Sequence, residues 1–253
     1  MHILNEYFDK IYITNLDSAK DRYERLSKEL DSFGVVYERF KAFTPDDARK
    51  VFAEKGLKIP KSNSGALGCA TSHYICCQQA AKNGLKRILI LEDDARITDI
   101  DFNQETQNLV EQIRKTDWFY LKLGYNITNQ MLDENFEFHR VSENLFNLSK
   151  SSMTTAIAFN IEKIVEDENA STVFISDHAL ENSKLNIHID HRLFMMCNEF
   201  GILQCHYYPA IFTQTDGYSY IGKEERKFSN IDKRTNRIFK EYIQSSSSTK
   251  KLF

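Results

Sequence analysis

The sequence has no surplus of either charge. Its 33 Lys and Arg against 36 Asp and Glu leave a net charge of -3 at pH 7, which removes the global case for nucleic-acid binding. No apolar run approaches the roughly 20 residues needed to cross a bilayer. The first ten residues, MHILNEYFDK, lack the charged n-region and long apolar h-region of a signal peptide. The expectation is a cytoplasmic protein with at most peripheral contact with a membrane surface. Cysteines are few and odd in number: Cys69, Cys76, Cys77, Cys197 and Cys205. No two have the spacing of a zinc knuckle or a CxxC redox motif, and Cys76 and Cys77 point to different sides of a helix. Small buried side chains in a reducing compartment are expected, rather than disulfides or metal ligands.

What remains is ordinary globular composition, 42% hydrophobic and 27% charged over 253 residues, enough for a sizeable core. KIYITNL (10–16) reads as a buried strand, followed by a helix with Ser18 as N-cap, Asp21 completing a capping box and Gly34 as its stop. Residues 35–40 read as the next strand, so the chain opens β-α-β, the signature of a parallel sheet flanked by helices. Further helices are expected from Gly65 or Leu67 to Gly84, over 101–115, from Glu162 onward and over 190–200. Strands are expected over 87–91, 117–123, 154–159 and 202–208. Residues 126–150 read as a hairpin excursion, and 167–186 fit no single period. From Lys223 the chain is charged and carries SSSS at 245–248, which predicts a solvated helix and a frayed tail. The division is one domain over 1–222 and a charged helix with a flexible tail over 223–253.

The stretch RILILEDDARI (87–97) runs four aliphatic residues into Glu92, Asp93 and Asp94. A continuous apolar run marks a parallel strand buried on both faces, and ligands of open α/β sheets sit beyond the carboxyl ends of such strands. Adjacent carboxylates repel one another there, and a hard divalent cation relieves that repulsion, often by bridging carboxylates to phosphates. A merely hydrated strand end gives the same three letters, so the context decides.

That context is NLD…DR over 15–22, FKAF at 40–43, GALGCATSH at 65–73, and IDHRL at 189–193 followed by YPAIFTQTDGYSYI at 208–221. In this order around the acids, the sequence from about Lys10 to Ile221 resembles glycosyltransferase family 25, which includes bacterial lipooligosaccharide galactosyltransferases and procollagen galactosyltransferases. The resemblance implies a GT-A-type single α/β domain with a mixed, mostly parallel sheet flanked by helices. It implies inverting transfer of a hexose, usually galactose from UDP-galactose, to form a β-linkage. The acceptor would be a glycan, a lipid-linked glycan or a glycoprotein. Glu92, Asp93 and Asp94 then meet the donor. Asp94 is the first choice of ligand for Mn²⁺ or Mg²⁺, and Asp93 shares the metal or touches the ribose. A degenerate member that binds nucleotide-sugar or glycan without transfer is the competing expectation, and a retaining transferase is a third.

Inversion needs a base on the face opposite the leaving group. Asp190 matches the acid of the family's (V/I)D-x-x-L motif and also fits an N-terminal helix carboxylate. On the donor side the resemblance implies Asn15 and Leu16 at the end of the first strand, Arg22 facing the diphosphate, and Ala42 beside the base. Arg22 also fits a surface pair along its own helix. The family's acid-glycine turn after Ala42 is replaced by FTPDD, where Asp46, Asp47 or neither stands in. Ser72 and His73 line the donor pocket by the same match, and Gln214 and Ser219 close the site from the C-terminal side. Tyr207, Tyr208, Phe212, Tyr218 and Tyr220 serve either sugar stacking or core packing, the commoner use. His188, Asp190 and His191 form a minority metal triad. Arg234, Arg237, Lys240, Lys250 and Lys251 make the end basic, a solvated end with a weak attraction to anionic lipid.

Overall fold

Six of the eight strands in the central sheet run in one direction, and the acids sit where three of them end. The computed structural model describes residues 1–60, 64–133, 135–181, 188–219, 224–226 and 231–247. A short helix α1 (Ile3–Tyr7) precedes strand β1 (Lys10–Asn15), helix α2 (Lys20–Ser32) and strand β2 (Glu38–Lys41). Helices α3 (Pro45–Glu54) and α4 (Gly65–Lys82) follow, then β3 (Arg87–Glu92), β4 (Ala95–Ile97), α5 (Phe102–Ile113) and β5 (Tyr120–Asn126). A hairpin of β6 (Phe138–Arg140) and β7 (Leu145–Leu148) leads to β8 (Ser152–Asn160). Next come α6 (Ile161–Glu166), α7 (Glu168–Phe174), α8 (Asp177–Glu181), α9 (Ile189–Phe200) and β9 (Gln204–Tyr207). The chain ends with β10 (Phe212–Gln214), β11 (Gly217–Ser219), β12 (Glu224–Arg226) and α10 (Ile231–Ser247).

The sheet order is β2-β1-β3-β8-β5-β9-β7-β6. β1 pairs parallel with β2 and β3, β5 pairs parallel with β9, and β8 and β7 run against their neighbours. This is the expected mixed, mostly parallel sheet with helices on both faces. The side-chain period of two divides the core. Ile88 and Ile90 of β3 join Ile157 and Phe159 of β8 against residues of α3, α4, α6, α7 and α9. Leu89 and Leu91 join Ala156 and Ala158 against α1, α2 and α5.

Three local expectations change. Helix α2 begins at Lys20 with Ala19 as N-cap and no side-chain cap bond, so the Ser18–Asp21 capping box does not form. Gly34 is the stop as expected, at φ +69°. The ambiguous 167–186 region contains two short helices, α7 and α8, the first capped by the Asp167 side chain on Ala170 N. Helix α10 is solvated on one face only. Ile238 and Phe239 are buried with Tyr125, Ile127, Phe146 and Leu148, and the Phe239 ring stacks on Tyr208 at 4.5 Å. Lys233 and Arg237 face solvent.

Candidate active site

Parallel pairing of β1 with β3 sets Thr14 beside Glu92, so Asn15 and the acids leave the sheet at the same end. β8 runs the other way, which brings its first residues to that end too. Asn15 is 2% exposed and serves as a hub. Its Nδ2 donates to Asp93 Oδ2 at 2.8 Å and to Ala19 O at 2.8 Å, while its Oδ1 accepts from Arg39 Nε at 2.9 Å. Ala42 N donates to Asn15 O at 3.0 Å, and Leu16 O accepts from Ala19 N at 3.0 Å. Asn15, Leu16 and Ala42 thus form one continuous rim.

Arg22 points at the acids. Nη1 donates to Asp93 Oδ1 at 2.9 Å and Nη2 to Asp94 Oδ2 at 3.1 Å. Three residues on, Arg25 Nη2 donates to the carbonyls of Asp93 at 3.0 Å and Ala95 at 2.6 Å. Burial pushes Asp93 up to about 6, against the attraction of Arg22. Burial, then repulsion from Glu92, pushes Asp94 up to about 6. Burial also raises Glu92, whose Oε1 accepts from Thr154 Oγ1 at 2.6 Å and Cys69 Sγ at 3.4 Å. Asp94 Oδ1 is buried without a hydrogen-bond partner, a ligand atom that a cation would satisfy. Both Asp93 oxygens are already engaged, by Arg22 and Asn15.

The residue before Thr154 holds a further carboxylate, Asp190. Met153 sits at φ +72°, a left-handed conformation uncommon for a side chain of this size. Its N–H donates to Asp190 Oδ2 at 2.8 Å, and the other Asp190 oxygen accepts from His191 N at 2.9 Å. Asp190 lies in the first turn of α9, where the N-cap is His188. Consecutive residues of β8 therefore tie Asp190 and Glu92 together.

Ser72 acts through the 42–44 loop. It accepts from Phe43 N at 2.9 Å and donates to Gly68 O at 2.7 Å. Gly68 permits that contact, because a Cβ there would stand 2.1 Å from Phe43 O. His73 is 2% exposed, with Nε2 3.8 Å from Glu92 Oε1. Burial lowers its pKa, opposed by the backbones of Cys69 and Thr154. Gln214 pairs across from Ala95 on β4, and Thr215 N donates to Asp94 O at 2.8 Å, so this segment runs beside the acids. The Ser219, Tyr218 and Tyr220 side chains, and Lys250 and Lys251, lie outside the described residues.

Several expectations are redirected. Asp46 and Asp47 belong to the first turn of α3: Asp46 pairs with Arg49, and Asp47 bonds Thr44, the N-cap. Tyr207 is buried and donates to Glu105 Oε2 at 2.8 Å. Tyr208 packs on Phe239, and Phe212 is buried in the core, so these three serve packing. His188 and His191 are exposed. The ligand-type group that does converge, among the described residues, is Cys69, His73 and Glu92. Arg25, Arg39, Cys69, Met153 and Thr154 were not expected in the site. Arg25 and Cys69 each carried one signal, an i+3 spacing from Arg22 and an i,i+4 spacing to His73 on one helix face; Arg39, Met153 and Thr154 meet the site through contacts distant in sequence.

Below Asp190 lies a buried polar chain. Lys122 Nζ donates to Ser151 Oγ at 2.9 Å and to Ser151 O at 3.3 Å. Ser151 Oγ is 2.7 Å from His206 Nε2, and His206 Nδ1 is 2.6 Å from Gln204 O. A carbonyl only accepts, so Nδ1 holds the hydrogen and Nε2 accepts from Ser151. Burial drives Lys122 down to about 8, against the attraction of Asp190.

Known proteins are similar to this chain in sequence. The chain is 31% identical over 116 residues to the lipooligosaccharide biosynthesis protein lic2B of Haemophilus influenzae, covering 44% of each. It is 27% identical over 130 residues to procollagen galactosyltransferase 1-B of Xenopus laevis, covering 46% of this chain and 21% of that one. A similar match, 27% over 135 residues, is to the human inactive glycosyltransferase 25 family member 3, covering 48% and 22%. The chain thus spans under half the length of these curated relatives. Among solved structures, a glycosyltransferase involved in the glycosylation of the major capsid of PBCV-1 aligns with 85% of this chain and 98% of its own, at TM-score 0.42 and 12% identity. No helix among the described residues is long and apolar enough to cross a membrane. The profile of glycosyltransferase family 25 (LPS biosynthesis protein) matches residues 8–249, nearly the whole chain, and the chain belongs to that family.

Proposed function

We propose that this chain transfers a hexose, galactose first among candidates, from a UDP-sugar to a hydroxyl of a glycan, lipid-linked glycan or glycoprotein, with inversion to a β-linkage. The observation that carries the reading is the double tie from β8: Met153 N to Asp190 and Thr154 Oγ1 to Glu92. It holds a carboxylate suited to deprotonating the acceptor at a fixed place relative to the acid cluster. Each Asp190 oxygen accepts one backbone N–H, which leaves lone pairs for an acceptor hydroxyl. The two N–H bonds orient the carboxylate as a general base. Asn15, Leu16 and Ala42 form the rim for the nucleoside. Arg22 offers positive charge beside the place where negative charge grows on the departing diphosphate.

Asp94, through its unpartnered Oδ1, would hold Mn²⁺ or Mg²⁺, with Asp93 beside it. The cation, when bound, neutralises diphosphate charge as a Lewis acid. A cytoplasmic site of action, with at most peripheral membrane contact, suits such a donor.

The test is Mn²⁺-stimulated turnover of a panel of UDP-sugars, with the product anomer read by NMR and Asp190→Asn as control. Asparagine keeps an oxygen for Met153 N–H, so donor binding should survive while transfer falls about 10²–10⁴-fold, the range for a general base. An α-linked product, or unchanged transfer by Asp190→Asn, overturns the reading. The Arg22 clamp on both aspartates favours one alternative, a member that binds nucleotide-sugar or glycan without transfer. Calorimetric binding of UDP-galactose with no hydrolysis or transfer to any acceptor supports that alternative.

A further inference from the structure

Helix α4 carries Cys69 and His73 one turn apart, on one face, directly over the end of β3. The His73 Nδ1 lies 3.0 Å from the carbonyl of Cys69. Because a carbonyl only accepts, Nδ1 bears the hydrogen and Nε2 presents its lone pair. A backbone carbonyl on one imidazole nitrogen is the arrangement that orients the other toward a metal. His73 is 2% exposed, and its Nε2 makes no hydrogen bond of good geometry, with the Thr154 backbone beside the ring. It faces Glu92 Oε1 at 3.8 Å, and Cys69 Sγ stands 3.4 Å from that same oxygen. One ligand atom from each of the three residues falls within 4.8 Å of the others.

We infer that Cys69, His73 and Glu92 form a binding site for a borderline-soft divalent cation of the zinc type, distinct from the Asp94 position. The distances support a single ion. Zn–S near 2.3 Å and Zn–N or Zn–O near 2.0 Å, at tetrahedral angles, separate S from O by about 3.5 Å and N from O by about 3.3 Å. The observed S–O separation of 3.4 Å matches, the N–O separation of 3.8 Å is about half an ångström wider, and all three ligand atoms lie within 4.8 Å of one another, so a bound ion would draw the imidazole inward. The donor set of sulfur, nitrogen and oxygen selects a cation such as zinc over Mg²⁺ or Mn²⁺, which prefer oxygen. Charge also balances: a thiolate, a carboxylate and a neutral imidazole against a dication leave a neutral buried cluster. On binding, the Cys69 thiol releases its proton to solvent and its sulfur lone pair goes to the metal. The Thr154 hydroxyl, 2.6 Å from Glu92 Oε1, orients the carboxylate. Three protein ligands leave the fourth position open, and Cys69 is partly exposed. The inference does not depend on sugar transfer.

The experiment is titration of the full, chelator-treated chain with Co²⁺, read by absorption, with Zn²⁺ as competitor. One equivalent should give a sulfur-to-cobalt charge-transfer band and tetrahedral d–d bands, and Zn²⁺ should erase both. Cys69→Ser should abolish the charge-transfer band, His73→Gln should weaken cobalt binding more than 10-fold, and Thr154→Val should weaken it about 10–100-fold, the range for an outer partner. Asp94→Asn should keep the band, which separates this site from the Asp94 position. Circular dichroism confirms that each variant is folded. Absence of a thiolate band in the unaltered chain, its survival in folded Cys69→Ser, or undiminished affinity in folded His73→Gln overturns the inference.

Discussion

The guanidinium of Arg22 spans two adjacent carboxylates, with Nη1 2.9 Å from Asp93 Oδ1 and Nη2 3.1 Å from Asp94 Oδ2. One planar fork thereby holds two acids that burial and repulsion from neighbouring carboxylates push toward protonation. Replacing Arg22 by methionine removes the cation that contacts both, leaving only the weaker attraction of Arg25. Breaking a fully buried pair costs about 3–5 kcal/mol, and these side chains keep 11–21% exposure, so about 2–3 kcal/mol is expected. Urea denaturation measures it. Arg22→Lys should recover only part of the loss, because one ammonium cannot replace a planar fork.

Gly68 permits a backbone contact that any side chain obstructs. With a Cβ 2.1 Å from Phe43 O, Gly68→Ala must displace either the helix or the 42–44 loop. Overpacking of this kind costs about 1–3 kcal/mol. The thermal midpoint should fall, and if the rim binds nucleoside, the affinity for UDP measured by calorimetry should fall with it.

Lys122 gives a pH signature. Its folded value is about 8 against an ordinary 10.5. Between those values the unfolded chain holds the proton and the folded chain does not, so this group makes stability rise with pH across the window. Below pH 8 the cost of the buried ammonium is present in full. Lys122→Met has no such cost. Its stability relative to the unaltered chain should therefore be highest near pH 7 and decline steadily toward pH 10.5. Denaturant midpoints at four pH values check the slope.

Phe239 tests whether α10 belongs to the fold. The side chain is 0% exposed and stacks on Tyr208. Phe239→Ala should cost about 3–5 kcal/mol, the usual range for a buried aromatic, whereas Lys240→Ala on the exposed face should be nearly neutral. Equal, small effects from both would show that the helix contributes little to stability.

The strand before the acids, its neighbours and the flanking helices were legible because their apolar periods are local. ILIL alternates across the two faces of the core as its pattern requires. Gly34 and Gly84 announced helix ends and have the positive φ such ends need. The partners of the acids were not legible. Thr154 meets Glu92 across 62 residues, Arg25 reaches Asp93 across 68, and Asp190 meets Met153 across 37. No short window contains such pairs. Charge misled at the C-terminus, where Lys and Arg on one face masked the apolar stripe of Ile238 and Phe239 on the other. The capping box failed for a related reason: Ser18 and Asp21 have the right spacing, but the chain turns at Asn15–Ala19 and begins its helix later.

Helix α4 has two adjoining faces, each one turn long. Gly68 and Ser72 grip the 42–44 loop, while Cys69 and His73 lean on Glu92. Successive residues of a helix are 100° apart in rotation, so the two pairs are locked at a constant angle. A substitution that rolls the helix to relieve one contact necessarily drags the other. The rim and the carboxylate cannot drift independently during divergence, and new specificities in this scaffold should therefore arise first in the loops that α4 does not touch.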